Sequence, residues 1–303
     1  MAFPPKLIAI DIDGTLLPSA GTAISARNCR ALREAEFAGL QLVIATGRRQ
    51  AYATPLIEPV GLRPDTVMIT SNGTVTRTLG GKPIDRFLLP VETARELCPV
   101  LRRFGGTTVF TFDREGPGEL VSESLQQLGA RVPEWIQANR LWISEVSPLG
   151  HAFDSGEAPV QGMVCGTLSD MRKAEEWLEA RDISTKIEIH RTEYAARDLA
   201  ILDILPPGCS KGVALGRLAE SEGIAPADLM AIGDNFNDLE MLEYVGQPVV
   251  MANAAPGLLK SARRRGWRIT TSNDSDGVAR VLEKIIESAV DASAVQSAGE
   301  ATR

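Results

Sequence analysis

The apolar run Leu7-Ile8-Ala9-Ile10 passes directly into Asp11-Ile12-Asp13-Gly14-Thr15-Leu16. A short run of branched residues without polar alternation reads as a buried parallel strand. Side chains alternate along a strand, so Asp11 and Asp13 are expected on one side, with Ile10 and Ile12 on the other. Their carboxylates would then sit roughly 6–7 Å apart. Gly14 can turn the chain sharply because it lacks a Cβ. In open α/β sheets ligands bind at this carboxyl end of the strands. A calcium loop does not fit: counting from Asp11, its fifth, sixth and twelfth positions are Thr15, Leu16 and Thr22, where an EF-hand needs Asp or Asn, Gly and Glu.

At 303 residues the chain can form one large domain or two ordinary ones. Its 44% hydrophobic and 23% charged residues are those of a globular protein. No apolar run approaches the ~20 residues of a membrane helix. Met1-Ala2-Phe3-Pro4-Pro5-Lys6 has neither the basic nor the apolar region of a signal peptide. These features predict a cytoplasmic protein without a membrane partner. Cys29, Cys98, Cys165 and Cys209 are widely spaced, which suits idle thiols better than disulfides or a zinc site. A formal charge of −7 disfavours nucleic acid as a partner. The basic run Arg263-Arg264-Arg265 reads as the solvated face of a helix.

Along the chain, Ser25 is a candidate N-cap for a helix from Ala26 to about Ala38, stopped by Gly39. A strand at Leu40–Ala45 closes a βαβ unit and ends in Thr46-Gly47-Arg48. A third strand, Thr66–Thr70, ends in Ser71-Asn72-Gly73, where Asn72 reads equally as a hairpin former or as a substrate-binding group. From Gly80 the alternation breaks down. Strands are expected at Thr107–Asp113, Val160–Cys165, Thr185–His190 and Leu199–Leu205, and helices at Val91–Arg103 and Met171–Arg181. Glycine- and proline-rich loops fall around Gly116–Gly118 and Ser147–Pro159. This texture predicts an inserted α+β domain over residues 82–205, with Pro206-Pro207-Gly208 as its exit hinge. The β–α pattern then resumes over residues 206–290. Its helix at Lys211–Glu222 follows Ser210, its strand at Leu229–Ile232 leads into Gly233-Asp234-Asn235-Phe236-Asn237-Asp238, and a last helix spans Gly277–Ala289. Residues 1–81 and 206–290 thus form one α/β domain around a doubly wound parallel sheet. The small, polar stretch 291–303 is expected to be disordered.

Asp11 with Asp13, Thr46, and Asp234 with Asp238 all lie in turns at strand carboxyl ends. A doubly wound sheet brings such ends together. Four carboxylates in one crevice repel, and desolvation raises their pKa values. A hard cation removes the conflict, and oxygen-only ligands point to Mg2+. Lys211 lies in a helix's first turn, where the macrodipole disfavours a cation. A bound phosphate dianion would reverse that conflict.

Asp11-Ile12-Asp13-Gly14-Thr15, Thr46-Gly47-Arg48, Ser210-Lys211-Gly212 and Gly233–Asp238 resemble, in order, the four motifs of the haloacid-dehalogenase (HAD) superfamily. The single large insertion between the second and third resembles the cap of the Cof-type phosphatases, subclass IIB. Ser71-Asn72-Gly73, Met251-Ala252-Asn253-Ala254 and Asn273-Asp274-Ser275-Asp276-Gly277-Val278 also resemble that branch. The resemblance implies a Rossmann-like core with an α+β cap. It implies that Asp11 is a nucleophile forming an aspartyl phosphate, and that Asp13 is the acid and base. The Asp11 carboxylate, the Asp13 carbonyl and the Asp234 carboxylate would hold Mg2+. Thr46, Gly47 and Lys211 would bind the phosphoryl oxygens, and Arg48, Asn72 and Asn237 would complete the substrate-binding set. Asp238 would support the site from behind.

These readings predict a Mg2+-dependent phosphatase of small phosphorylated metabolites, sugar phosphates above all. Insert residues near Arg114 and Arg191–Tyr194 are expected to contact the rest of the substrate. A phosphosugar mutase of phosphomannomutase type is the rival enzyme. A sugar-phosphate sensor is the rival from another class, although binding alone needs neither a nucleophile nor an acid partner.

Overall fold

A computed structural model describes residues 4–104, 107–194 and 197–300. Residues 1–3, and residues 301–303 at the end of the tail expected to be disordered, lie outside the described residues. The chain divides into two compact units, residues 1–85 with 210–303, and residues 86–209.

The first unit begins with β1 (Leu7–Ile10), α1 (Ala26–Phe37), β2 (Gln41–Ala45), α2 (Gln50–Ile57), β3 (Val67–Thr70), β4 (Val75–Thr78) and β5 (Pro83–Arg86). Ser25 caps α1 by accepting from the Asn28 amide. β3 and β4 pair antiparallel around Ser71–Gly73, so the Asn-Gly pair does form a hairpin turn. Gly80-Gly81 turns the chain again into β5, which is why the first unit reaches Asp85 rather than residue 81.

The second unit contains α3 (Val91–Arg102), β6 (Thr107–Thr111), β7 (Leu120–Ser122), α4 (Leu125–Gly129), α5 (Pro133–Asn139), β8 (Ile143–Glu145), β9 (Gln161–Gly166), α6 (Leu168–Glu179), β10 (Glu188–Tyr194) and β11 (Leu199–Leu205). Its sheet has the order β10-β11-β9-β6-β7-β8 and is antiparallel except at β7–β8. One face packs Phe110, Val164, Leu202 and Ile204 against α3 and α6. The other packs Val109, Cys165 and Leu199 with Leu128 and Val132 at the α4–α5 pair. Segregated helices on a mostly antiparallel sheet make this unit α+β, as expected. The strand expected at Thr185–His190 is displaced, because Asp182–Lys186 forms a short 3-10 turn and pairing starts at Glu188.

The first unit resumes with α7 (Lys211–Ser221), β12 (Leu229–Gly233), α8 (Leu239–Tyr244), β13 (Gln247–Val250), α9 (Pro256–Arg265), β14 (Arg268–Ile269) and α10 (Gly277–Glu300). Its sheet runs β14-β13-β12-β1-β2-β3-β4-β5, with the six strands from β14 to β3 parallel. β1 is central, with Leu7 in register with Leu229 on one side and Gln41 on the other. Its alternation feeds two cores. Ile8 and Ile10 pack with Leu32 of α1 and Leu282 of α10, while Leu7 and Ala9 pack with Leu215 of α7, Met241 of α8 and Leu258 of α9. Helices thus cover both faces, the doubly wound arrangement. Each of these fully buried large side chains contributes roughly 1.5–3 kcal/mol. This core fixes the carboxyl ends of β1, β2, β3 and β12 beside one another.

α10 continues to Glu300, past the Ala289 end expected from sequence. Its last turns hold Ala292, Ala294 and Ala298, and alanine is the strongest helix former. The Arg263–Arg265 run ends α9 and is exposed there, as expected of a solvated helical face. None of the four cysteines forms a disulfide. Among the described residues, no helix is long and apolar enough to cross a membrane.

Candidate active site

β1 stops at Ile10, and the Asp11 amide extends its ladder by donating to the Ile232 carbonyl (3.0 Å). The chain then coils through Ile12–Leu16, with Gly14 at φ +76°. Strand alternation therefore governs Asp11 but not Asp13. Ile10 and Ile12 do share one core. Asp11 is buried, whereas the Asp13 side chain is 51% exposed. This corrects the expectation that both acids project from one strand. The turn begins one residue earlier than the pattern suggested.

Gly14 is required twice over. Its positive φ favours glycine, and a Cβ there would lie 2.2 Å from Asp234 Oδ2. Thr15, which follows, donates its hydroxyl to Asp234 Oδ1 (3.2 Å) and is fully buried. The first loop is therefore moulded around the carboxylate that ends β12.

Lys211 is the first residue of α7, behind the Ser210 cap, whose Oγ accepts from the Val213 amide (3.1 Å). Its Nζ is completely buried and donates to Asp11 Oδ1 at 2.7 Å and to Asp238 Oδ1 at 2.6 Å. Burial works against the ammonium, but the charges and hydrogen bonds of Asp11 and Asp238 outweigh it and raise its pKa. Asp238 Oδ2 accepts from the Asp234 and Asn235 amides (3.0 and 3.1 Å). Both oxygens of Asp238 are thus engaged. Asp11 Oδ2 and Asp234 Oδ2, by contrast, have no hydrogen-bond partner among the described residues.

The turn after β2 is stitched to the turn after β3. The Arg48 amide donates to Thr46 Oγ1 (3.1 Å), the Asn72 amide to the Thr46 carbonyl (3.1 Å), and the Ser71 amide to the Arg48 carbonyl (2.8 Å). Thr46 and Asn72 are buried. A Cβ on Gly47 would lie 2.9 Å from Asn72 Oδ1, and that oxygen accepts from Asn237 Nδ2 (3.2 Å). Gly73 would meet the Ser210 carbonyl at 2.3 Å if it had a Cβ, so this turn seats against the start of α7. Arg48 grips Asp13 in a two-pronged pair (2.7 and 2.6 Å) and stacks over Tyr52.

All ten residues singled out from sequence therefore lie in the first unit, in turns that touch one another. Reasoning from the residues missed Thr15, whose only signal was its place after Gly14. It also missed the Asp13–Arg48 pair. In the second unit, Arg114 pairs with Glu157 (2.7 Å) over the Phe112 ring, and Arg191 pairs with Glu175 and Glu193.

One carboxylate oxygen from each of Asp11, Asp234 and Asp238 lies within 4.8 Å of the other two. Burial, then the charge of Asp238, pushes Asp234 up to about 7. Burial, then Asp238 and Asp234, raises Asp11 well above the usual carboxylate range, although Lys211 opposes this. One buried ammonium does not balance three buried carboxylates. All the donors are oxygens, and two carboxylates keep a free oxygen, so the residues fit a hard divalent cation. Asp11 and Asp234 are the available ligands, whereas Asp238 is committed to Lys211 and to the loop amides.

Residues 8–282 match the family model for haloacid dehalogenase-like hydrolases. The 5-amino-6-(5-phospho-D-ribitylamino)uracil phosphatase YwtE of Bacillus subtilis (strain 168) is 30% identical, over 93% of this chain and 98% of that protein. An HMP-PP phosphatase of Yersinia pseudotuberculosis serotype I (strain IP32953) is 28% identical over 93% and 96%. Among solved structures, a haloacid dehalogenase-like hydrolase from Bacteroides thetaiotaomicron superposes with a TM-score of 0.76 at 28% identity, covering 93% of this chain and 99% of that one. The HAD subclass IIB sugar phosphatase BT4131 superposes with a TM-score of 0.72 at 22% identity, covering 92% and 98%, a likeness of fold. The chain belongs to the haloacid dehalogenase-like hydrolase family, in its Cof-type branch.

Proposed function

We propose that this hydrolase is a Mg2+-dependent phosphatase of small phosphorylated metabolites, with sugar phosphates its substrate class, and that it works through an aspartyl phosphate on Asp11. The observation that carries the reading is the division of labour at Lys211. Its ammonium holds Asp11 Oδ1 and Asp238 Oδ1 together, leaving Asp11 Oδ2 without a partner. A carboxylate oriented through one oxygen and free at the other is the arrangement a nucleophile needs.

In the proposed reaction Asp11 Oδ2 attacks phosphorus while the bond from phosphorus to the leaving oxygen breaks. Asp13 passes a proton to that oxygen. Asp13 then takes a proton from the water that attacks the aspartyl phosphate, releasing inorganic phosphate and restoring the Asp11 carboxylate. Arg48 must release at least one Asp13 oxygen for these transfers, since both are gripped in this structure. Lys211, Thr46 and the Gly47 amide hold phosphoryl oxygens. Asp234 and Asp11, the latter through the oxygen that does not attack, would hold Mg2+, which would supply charge neutralisation for the phosphoryl group. Asn72, Asn237 and Asp238 keep the turns in register.

The relatives' names support a small phosphorylated compound as substrate, since both are named as phosphatases of such compounds. Inorganic phosphate release by the purified protein across a panel of phosphometabolites tests the reading. Turnover should disappear in EDTA and return with MgCl2. Full turnover after exhaustive dialysis against EDTA, or binding of the whole panel without release, would overturn it.

A further inference from the structure

The loop that carries Asp11 and Asp13 leaves the sheet at Ile10 and ends near Leu17. Three of its backbone carbonyls accept hydrogen bonds from asparagine side chains, two of them far away in sequence. Asn253 Nδ2 donates to the Gly14 carbonyl (2.8 Å), Asn28 Nδ2 to the Leu16 carbonyl (3.4 Å), and Asn273 Nδ2 to the Leu17 carbonyl (2.8 Å). Their other ends are also tied. Asn253 Oδ1 accepts from the Asn273 amide (2.9 Å), and Asn28 Oδ1 from the Ala279 amide in the first turn of α10 (2.9 Å). The segment after β13 thus brackets the loop from outside.

Asn253 holds the most consequential point of this bracket. Its partner carbonyl belongs to the Gly14–Thr15 peptide. On one side of that peptide lies Gly14, at φ +76° and with no room for a Cβ beside Asp234 Oδ2. On the other lies Thr15, whose hydroxyl donates to Asp234 Oδ1. Rotation of this one peptide plane would disturb both contacts to Asp234. Asn28 and Asn273 are buried, so replacing them leaves unsatisfied carbonyls in the core. Asn253 is exposed, and its loss can be examined without that cost.

We propose that Asn253 is a positioning residue for the reaction. By fixing the Gly14–Thr15 peptide it sets the Asp234 carboxylate, and through it the cation, against Asp11. This inference rests on the phosphatase reading for its catalytic consequence, but its effect on cation binding does not.

Asn253→Ala removes both hydrogen bonds, and Asn253→Ser removes the amide donor to Gly14, each without a change of charge. Titration calorimetry of the full-length protein with MgCl2 alone, without substrate, is the primary readout. Both variants should bind Mg2+ about 10–100-fold more weakly, the usual effect of removing a group that orients a metal ligand. Melting temperatures in EDTA should stay close to wild type. On a substrate that the wild type turns over, kcat at fixed MgCl2 should fall while KM changes little. Wild-type Mg2+ affinity in both variants would overturn the proposal. So would a lowered melting temperature with unchanged affinity in the folded protein, the result expected of a merely structural contact. Should the substrate panel yield no turnover, the phosphatase reading fails and the calorimetry still decides the role of Asn253.

Discussion

Lys211 Nζ stands 2.7 Å from Asp11 Oδ1, and both side chains are almost completely buried although 200 residues separate them. A helix cap delivers the lysine and a strand end delivers the aspartate. With Asp238 they form a buried triad in which one cation faces two anions. Removing one member of a buried ion pair leaves uncompensated charge and typically costs 3–5 kcal/mol. Lys211→Met should therefore destabilise the metal-free protein by roughly that amount. MgCl2 should raise its melting temperature more than it raises that of wild type, because the cation then meets one more unneutralised carboxylate. Equal MgCl2 shifts in the two proteins would show that Lys211 and the metal do not share the same charge.

The exposed Asp13 has a separable role. With a poor leaving group, Asp13→Ala should lose turnover entirely, since neither proton transfer has a donor or acceptor. An activated aryl phosphate leaves without protonation, so phosphorylation of Asp11 should persist in this variant while water attack stalls. A burst of aryl alcohol followed by a slow steady rate is expected in stopped-flow traces. Linear release at the wild-type rate would remove Asp13 from the acid–base role.

In the second unit, burial pushes the Asp203 carboxyl on β11 up to about 7. Its neighbours in register are His190 on β10 and Met163 on β9. The unfolded chain ionises this carboxyl near pH 4, the folded one near 7, so stability falls as pH rises between those values and the cost is complete above 7. Asp203→Asn should melt higher than wild type at pH 8, and the difference should shrink towards zero near pH 4. Differential scanning calorimetry across that range checks this. A difference that does not vary with pH would contradict it.

Much of this architecture was legible in the sequence, because glycine, proline and acidic turns punctuate the core strands at their functional ends. The Asp11, Thr46, Lys211 and Asp234 turns were found from residue type and position alone. The Asp13–Arg48 pair was not, since it depends on where the turn after Ile10 starts, and periodicity cannot fix that to one residue. β7, β8, α4 and α5 went unread between Gly118 and Val146. They are three to seven residues long, too short for a period of two or 3.6 to emerge. Asn253 lay inside a recognised motif, but its role rests on a contact across 239 residues of chain. The final helix was cut short because small polar residues suggested disorder, whereas the interspersed alanines sustain helix through Glu300.

The central claim is that Asp11 takes the phosphoryl group. Rapid acid quench of the wild-type protein with substrate and MgCl2, followed by peptide mass spectrometry, tests it most directly. The account predicts a transient +80 Da adduct (one HPO3) on the peptide containing Asp11, absent from Asp11→Asn, which should fold normally and release no phosphate. Phosphate release by Asp11→Asn within tenfold of wild type, or an adduct on any other residue, would contradict it.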